Sequence, residues 1–170
     1  MEIRRIRADE WRLWRETRLR LLREEAAFFS SRYEDAVREP DETWRAWAAD
    51  AAEGDERALF VAEDDDGWVG VVGCFRRVDP AEVQLISMWV DPRVRGRGVA
   101  QRLIRAVAEW ARAIEARRVV LFVQEVNAAG QALYAKAGFR PTGDRMPVGI
   151  GRRGFKLVFV ASVDELLPNA

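Results

Sequence analysis

The sequence has no histidine and a single cysteine, Cys74, among its 170 residues. Without an imidazole, Ser-His-Asp and Cys-His catalysis are excluded, and so are metal sites built on histidine ligands. One cysteine cannot form an internal disulfide, and the apolar run around Cys74 predicts a core residue rather than a nucleophile. Any acid–base chemistry must therefore use Asp, Glu, Tyr, Lys, Cys, water or the substrate itself.

An excess of charge of either sign is also lacking, as are long hydrophobic runs. Lys and Arg together number 28, as do Asp and Glu, so the formal net charge is zero. This balance argues against general binding of polyanions such as nucleic acids. No apolar run approaches the roughly 18 residues of a membrane span, and the charged N-terminal stretch is unlike a secretory signal. We therefore expect a cytoplasmic protein that binds neither membranes nor nucleic acids.

Hydrophobic periodicity predicts one α/β (α+β) domain over residues 1–170, with a mixed sheet and helices on both faces. Strands are predicted near 2–7, 58–62, 68–75, 83–90, 119–124, 139–142 and 155–161. Helices are predicted after an N-cap at Asp9, over about 34–52, over about 100–114, and over about 128–137 between Asn127 as N-cap and Gly138.

The stretch DPRVRGRGVAQRL, residues 91–103, places two glycines between a buried strand and the start of an amphipathic helix. The first N–H groups of a helix lack partners, and its dipole adds partial positive charge at the same end. Gly96 and Gly98 would let an anion approach the backbone, and Arg95 and Arg97 add full charges. This combination predicts a phosphate or pyrophosphate site, although a plain turn with solvated arginines explains the spacing equally well.

Two common nucleotide motifs do not fit this stretch. A Walker loop needs a Gly-Lys pair, which the chain does not contain. A dinucleotide fingerprint needs a third glycine, and Gln101 stands in its place.

Two segments resemble the GNAT family of N-acetyltransferases. Residues 95–100, RGRGVA, are similar to its Q/R-x-x-G-x-G/A signature, and the preceding WVDP is similar to its usual lead-in. Residues 127–139, NAAGQALYAKAGF, resemble its second motif, with Asn127, Tyr134 and the final Gly-Phe in register. The resemblance covers roughly 58–140. It implies a mixed sheet of six or seven strands whose central strands splay apart, and acetyl-CoA as the donor.

The resemblance also implies how the donor binds. The pantetheine arm would insert between the strands that end near Val90 and begin near Val119, and Asn127 would contact it while also capping its helix. A backbone N–H near Met88, Trp89 or Val90 would bind the thioester oxygen. The pyrophosphate would lie against the backbone of Arg95, Gly96, Arg97, Gly98, Val99 and Ala100. The resemblance implies no metal.

Tyr134 matches the position at which the family often has its general acid. A phenol with a pKa of about 10 is neutral at pH 7 and can protonate a leaving thiolate. The alternative is an ordinary helix aromatic that packs on the sheet.

The general base is left open by the sequence. Relatives that acetylate histones have a glutamate about where this chain has Gln84, and those that acetylate ribosomal-protein N-termini have one near Phe122. Neither residue here accepts a proton, so both substrate classes lose support. Glu82, Glu125 and a relay of water and backbone remain as alternatives.

Together these features predict an acetyl-CoA-dependent N-acetyltransferase in which the primary amine of a small molecule attacks the donor directly in a ternary complex. The acceptor pocket would include Glu24, Glu25, Phe28, Phe29 and the loop 146–154. The alternatives are a protein lysine or N-terminal acetyltransferase and a non-catalytic acyl-CoA sensor. A homodimer is one assembly open to the chain.

Overall fold

The computed structural model describes residues 1–167, and within them seven strands form one open sheet. The strands are β1 (Glu2–Arg5), β2 (Arg57–Asp64), β3 (Gly67–Arg76), β4 (Glu82–Val90), β5 (Arg118–Gln124), β6 (Arg140–Pro147) and β7 (Phe155–Ser162). Their order in the sheet is β1-β2-β3-β4-β5-β7-β6. The β4–β5 pair is parallel, whereas the other neighbours are antiparallel. The last three residues of the predicted domain lie outside the described part.

Helices cover both faces of this sheet, as the sequence predicts. They are α1 (Trp11–Glu24), α2 (Tyr33–Ala36), α3 (Asp41–Ala52), α4 (Val99–Ala113), α5 (Ala128–Ala137) and α6 (Val163–Leu166). Alternate residues of β2 enter two cores: Phe60 packs on the α4 side and Leu59 on the α1–α3 side. Cys74 is buried on the α4 side, as its apolar surroundings predict. The mixed α/β fold is confirmed.

Two predicted helix boundaries are wrong. The helix expected over 34–52 is two helices, because Pro40 stands as the N-cap of α3 and a proline disfavours helical backbone in the residue before it. Asp9 does not cap α1. It lies in a 3-10 turn that precedes the helix, and the buried carboxylate of Glu10 accepts the Arg7 N–H at 2.9 Å.

Two elements near the C-terminus have weak signals in the sequence. β6 continues to Pro147, well beyond the predicted end at residue 142, and every residue in it is exposed. An edge strand without a buried face has no apolar alternation to reveal it. The short α6 was not predicted, although Ser162 and Glu165 form a capping box at its start.

The central strands splay apart, which confirms the implied gap. β4 and β5 pair from Glu82 opposite Arg118 to Leu85 opposite Leu121, and no further. Just beyond, β4 bulges against β3: Trp89 pairs with Val71 and Ile86 with Gly73, so two residues of β4 oppose one of β3. Ser87 within the bulge has a φ of 55°. Such a bulge bends a strand, so β4 turns away and leaves its backbone from about residue 86 unpaired toward β5.

Asp91 fixes the chain where β4 ends. Its buried carboxylate accepts the Arg93 N–H at 2.9 Å and the Arg93 guanidinium at 3.0 Å, and Arg20 of α1 approaches it at 3.3 Å. These contacts, led by the Arg93 side chain, lower the pKa of Asp91 to about 2. The Arg20 guanidinium also lies 4.9 Å from the centre of the Trp89 ring. The start of the glycine loop is thereby tied to α1.

We expect Asp91→Asn to lower the free energy of unfolding by about 2 kcal/mol at neutral pH, which is the contribution of hydrogen bonds to a charged group. The folded pKa of about 2 lies below the ordinary 3.8, so the carboxylate stabilises the fold above pH ~4 and stops doing so as the pH falls toward 2. Urea unfolding at several pH values measures this. The difference in the free energy of unfolding between wild type and variant should become smaller from pH 4 to pH 2.

Asp50→Asn is the matched control, because Asp50 is exposed on α3. It should be neutral across the same pH range. A gap for Asp91→Asn that is unchanged at pH 2 would contradict the proposed electrostatic origin.

Candidate active site

The gap between β4 and β5 opens into two adjoining cavities. The larger cavity has a volume of about 580 Å³ and extends from the end of β4 across the glycine loop to α5. The smaller cavity has a volume of about 270 Å³ and lies between the splayed strands and the segment after α1. Five residues line both and so mark the junction: Glu25, Phe28, Met88, Asn127 and Tyr134.

Most residues predicted to bind a cofactor line the larger cavity. These are Met88, Trp89, Val90, Arg95, Gly96, Gly98, Val99, Ala100 and Asn127. Arg97 is exposed and is not part of this wall. Lys136, near the end of α5, lines the cavity and was missed. A lone lysine in the last turn of a helix is common, so no sequence pattern singles out Lys136.

The glycine loop presents bare backbone to the larger cavity. Gly96 and Gly98 have φ values of 79° and 78°, in the left-handed region that favours glycine, and a Cβ at either would meet nothing within 4 Å. The Arg102 N–H is bonded to the Gly98 carbonyl at 3.1 Å. No described backbone carbonyl accepts from the N–H groups of 99–101. These free donors at the N-terminus of α4 can hold an anion.

Arg95 fastens the loop rather than offering a free charge. Its Nε donates to the Val90 carbonyl at 2.8 Å, and its Nη2 is ion-paired with Glu25. The positive end of the site therefore depends mainly on backbone N–H groups. Arg95 carries the full charge expected of it, and the carboxylate of Glu25 balances that charge.

Tyr134 of α5 stands at the junction of the two cavities. Its ring packs edge-to-face on Phe139 at a centroid distance of 5.8 Å, so the predicted packing role is present. Burial raises the pKa of the phenol above its ordinary value, so the hydroxyl carries its proton at neutral pH. The Tyr134 side chain therefore packs on Phe139 and also lines both cavities.

Asn127 is held where the larger and smaller cavities meet. Its Oδ1 accepts the Gly130 N–H at 2.9 Å, which confirms the N-cap role. A Cβ at Gly130 would lie 2.6 Å from Asn127 Nδ2, so only glycine lets the amide lie this close over the helix. Because Oδ1 makes the cap, the Nδ2 hydrogens remain for a ligand.

Neither predicted base lines a cavity. Glu82 begins β4, at 3.1 Å from Arg118 and 3.7 Å from Arg77, and lies six residues before Met88, or roughly 20 Å along an extended strand. Glu125 is ion-paired with Arg145 at 2.8 Å and is about half exposed. The structure does not bring either carboxylate to Tyr134.

The smaller cavity contains two cations that sequence reasoning missed, Arg18 and Lys156. Arg18 stands on the buried face of α1, in register with Trp14 and Leu21. A cation within an apolar helical stripe is the signal that could have found it. Lys156 lies on β7, far from Arg18 in sequence, and only the fold brings them together.

The expected acceptor residues are partly in place. Glu25, Phe28 and Phe29 line the smaller cavity, whereas Glu24 is paired with Arg20 at 3.0 Å and does not. The loop 146–154 does not line either cavity but holds the wall. Its Arg152 donates to the carbonyls of Phe29, Ser30 and Ala26 at 2.8, 2.9 and 3.1 Å.

Residues 1–167 contain neither a cluster of metal ligands nor a membrane-spanning helix. There, no group of three or more His, Cys, Asp or Glu side chains is arranged to hold a metal ion. None of the helices in this range combines the length and the apolar character needed to cross a bilayer.

Comparison with known proteins gives concordant matches. Human N-acetyltransferase 8B is 35% identical over 89 residues, 50% of this chain and 39% of that protein. N-acetylaspartate synthetase of Rattus norvegicus is 38% identical over 85 residues, 50% of this chain and 28% of that protein. The Salmonella typhimurium protein yncA, described as an acetyltransferase and solved with its cofactor acetyl-CoA, matches with a TM-score of 0.78 at 20% identity over 96% of this chain and 94% of that one.

The two curated relatives are matched over less than half of their lengths. The structural match, at its low identity, supports the fold alone. The family model described as "Acetyltransferase (GNAT) family" matches residues 6–139, which is most of the chain. The glycine loop, the splayed strands and Tyr134 all lie within that span, and the chain belongs to the GNAT acetyltransferase family.

Proposed function

We propose that this protein transfers an acetyl group from acetyl-CoA to the primary amine of a small molecule. One observation carries the proposal: a cavity with an anion-binding helix end adjoins a second, smaller cavity, and Tyr134 and Met88 stand where they meet. Two substrates bound in the two cavities would meet at that junction. This arrangement suits direct attack in a ternary complex better than a covalent enzyme intermediate, because Cys74 is buried away from both cavities.

The larger cavity is assigned to the donor. The free N–H groups of residues 99–101 would hold the pyrophosphate, and Lys136 would add a cation. The unpaired β4 backbone beyond Leu85 offers hydrogen bonds to the pantetheine amides, as a sheet edge does to an added strand. Asn127 would donate through Nδ2 to the same arm. Acetyl-CoA supplies the activated acyl group.

In the proposed reaction, the neutral amine nitrogen attacks the thioester carbonyl carbon. The C–N bond forms, and the carbonyl oxygen gains negative charge that a backbone N–H near Met88 would stabilise. The C–S bond then breaks, and the thiolate takes a proton from the Tyr134 hydroxyl. The attacking nitrogen releases its extra proton to water, and this proton returns through water to the Tyr134 oxygen, where the burial-raised pKa favours the protonated phenol.

Proton loss from the acceptor is assigned to a water relay. Glu82 and Glu125 have no direct role in this proposal, because both are engaged in ion pairs away from the cavities. Glu25 lines both cavities, but its carboxylate is already ion-paired with Arg95. Positive charge near an ammonium favours its neutral form, so Lys156 would assist deprotonation.

The size of the smaller cavity favours a small acceptor. Its volume of about 270 Å³ lies near the lower end of ligand pockets, which span about 300–1,000 Å³. Arg152 holds the segment after α1 that forms part of the wall of the smaller cavity. This leaves less room for a lysine side chain that belongs to a protein substrate. The name of one relative, N-acetylaspartate synthetase, also denotes a small acetylated product. A silent acyl-CoA sensor remains as the second candidate.

A first test concerns the donor. Acetyl-CoA at a hundredfold excess over its Kd should stabilise the protein by about 2.7 kcal/mol in a thermal-shift experiment, whereas NAD and ATP should not. Gly98→Asn should lower acetyl-CoA affinity at least tenfold by calorimetry. Asparagine tolerates positive φ, so the loop survives while a side chain enters the space left for the anion.

Gly54→Asn is the matched control, since Gly54 has a φ of 79° and open space around it but lies outside both cavities. Its affinity for acetyl-CoA should equal that of the wild type. Unchanged affinity in a folded Gly98→Asn protein would mean that the loop is only a turn, and stabilisation by ATP or NAD alone would reject the donor.

A second test separates catalysis from silent binding. Tyr134→Phe keeps the ring and its packing on Phe139 but removes the proton donor. Because a thiol is a fair leaving group unaided, we expect the lower end of general-acid effects, a fall in kcat of about 100-fold with KM for acetyl-CoA within a few-fold. The assay is CoA release over a panel of amines.

Tyr33→Phe removes the other tyrosine hydroxyl of the chain and should leave both constants unchanged. An unaltered kcat for Tyr134→Phe would assign the proton to water or to the acceptor ammonium. Absence of CoA release with every amine, despite donor binding, would favour the sensor.

A further inference from the structure

Arg18 is a partly buried cation of the smaller cavity that has no carboxylate partner in the described part of the chain. Its Nη1 donates to Ser87 Oγ at 3.1 Å, and its Nη2 donates to Ser31 Oγ at 3.0 Å. Burial lowers the pKa of Arg18 to about 10, and no acidic side chain opposes that effect. The guanidinium is therefore charged at neutral pH, its side-chain hydrogen bonds go to neutral hydroxyls, and its Cζ lies 5.5 Å from the centre of the Phe29 ring.

The other charges of the smaller cavity do not balance Arg18. Lys156 is a second cation in the wall, and its Nζ lies 5.4 Å from the centre of the Phe122 ring. The carboxylate that lines this cavity within the described residues is Glu25, which is already paired with Arg95. A bound ligand would thus face two cations without a free counter-charge.

The free donors of Arg18 suit a carboxylate. A guanidinium has five N–H groups in a planar fork, and two of its nitrogens here use one hydrogen each on serine hydroxyls. The remaining hydrogens can bind a carboxylate with charge-assisted hydrogen bonds. Because a cation withdrawn in part from water without a counter-ion is costly, such a ligand gains more than it would from an exposed arginine.

The position of Arg18 limits how far this carboxylate lies from the reacting nitrogen. Ser87, its hydrogen-bond partner, is the residue before Met88, and Met88 and Tyr134 stand at the junction of the cavities. A group on Arg18 is therefore close to the point of acetyl transfer. This spacing suits an amine and a carboxylate separated by a few bonds.

We propose that the acceptor is a small amino acid, whose carboxylate is bound by Arg18 while its amine reaches the junction. The inference rests on the proposed acetyl transfer and specifies its acceptor. It excludes polyamines as preferred acceptors, because further cations would be repelled by Arg18 and Lys156. Lys156 contributes to the local potential, and Arg18 supplies the directional hydrogen bonds.

The test compares matched amines in the CoA-release assay. One set is the standard L-amino acids. The other is their decarboxylated counterparts, such as phenethylamine for phenylalanine, 3-(methylthio)propylamine for methionine and cadaverine for lysine, together with spermidine. At least one amino acid should exceed its counterpart about 100-fold in kcat/KM. Equal or better rates for the decarboxylated amines, or for spermidine, overturn the inference.

Variants locate the effect at Arg18. Arg18→Gln should lower kcat/KM for the best amino acid about 100-fold, chiefly through KM, and leave its decarboxylated counterpart within about threefold. Arg18→Lys keeps the charge and should recover part of the loss. Arg12→Gln, on the exposed side of the same helix, is the control and should match the wild type. An equal loss for both kinds of amine overturns the inference.

Failure of the inference and failure of the proposed function give different results. If CoA is released at similar rates from amino acids and from their decarboxylated counterparts, amino-acid recognition is rejected and acetyl transfer is retained. No stabilisation by acetyl-CoA and no release with any amine reject both. If Arg18→Gln does not fold, as judged by circular dichroism and acetyl-CoA binding, the comparison of matched amines on wild type and Arg18→Lys decides alone.

Discussion

The loss of pairing between β4 and β5 beyond Leu85 is the constraint on which the rest of the site depends. A parallel pair buried in a sheet would normally continue its hydrogen bonds, and open backbone groups there are costly. The bulge at Ser87 turns β4 aside, and the gap it creates becomes both cavities. The same bulge places Ser87 against Arg18 and Met88 at the junction, so one irregularity in a strand shapes both cavities.

The sequence predicted the fold correctly wherever burial imposes a regular spacing on the apolar residues of a helix or strand. α4 alternates buried and exposed faces over its whole length, and the central strands are apolar enough to be placed within a residue or two. The two failures occur where the apolar pattern carries no information. β6 is exposed along its whole length and shows no period, whereas the break at Pro40 depends on local backbone rather than on the apolar pattern.

The two cavities also differ in how far the sequence reveals them. The larger cavity is built mainly from two contiguous stretches, so a short motif around Gly98 and another around Asn127 reveals it. The smaller cavity takes its cations from separate elements, Arg18 on α1 and Lys156 on β7, and only the cation in the apolar stripe of α1 carries a local signal. Its geometry depends on long-range contacts such as Arg152 with the carbonyls after α1, and spacing along the chain does not encode them.

The burial of Cys74 has a practical consequence for enzymology. Its Sγ lies 3.7 Å from the Ala58 carbonyl inside the sheet, and burial raises the thiol pKa to about 12. Disulfide reagents react with thiolates, which this residue hardly populates at neutral pH and does not expose. Since the chain has no other cysteine, a chromogenic disulfide added to the native protein should leave it unlabelled. Any colour that develops during turnover then comes from a newly freed thiol outside the polypeptide, so the reaction can be followed continuously without masking the protein.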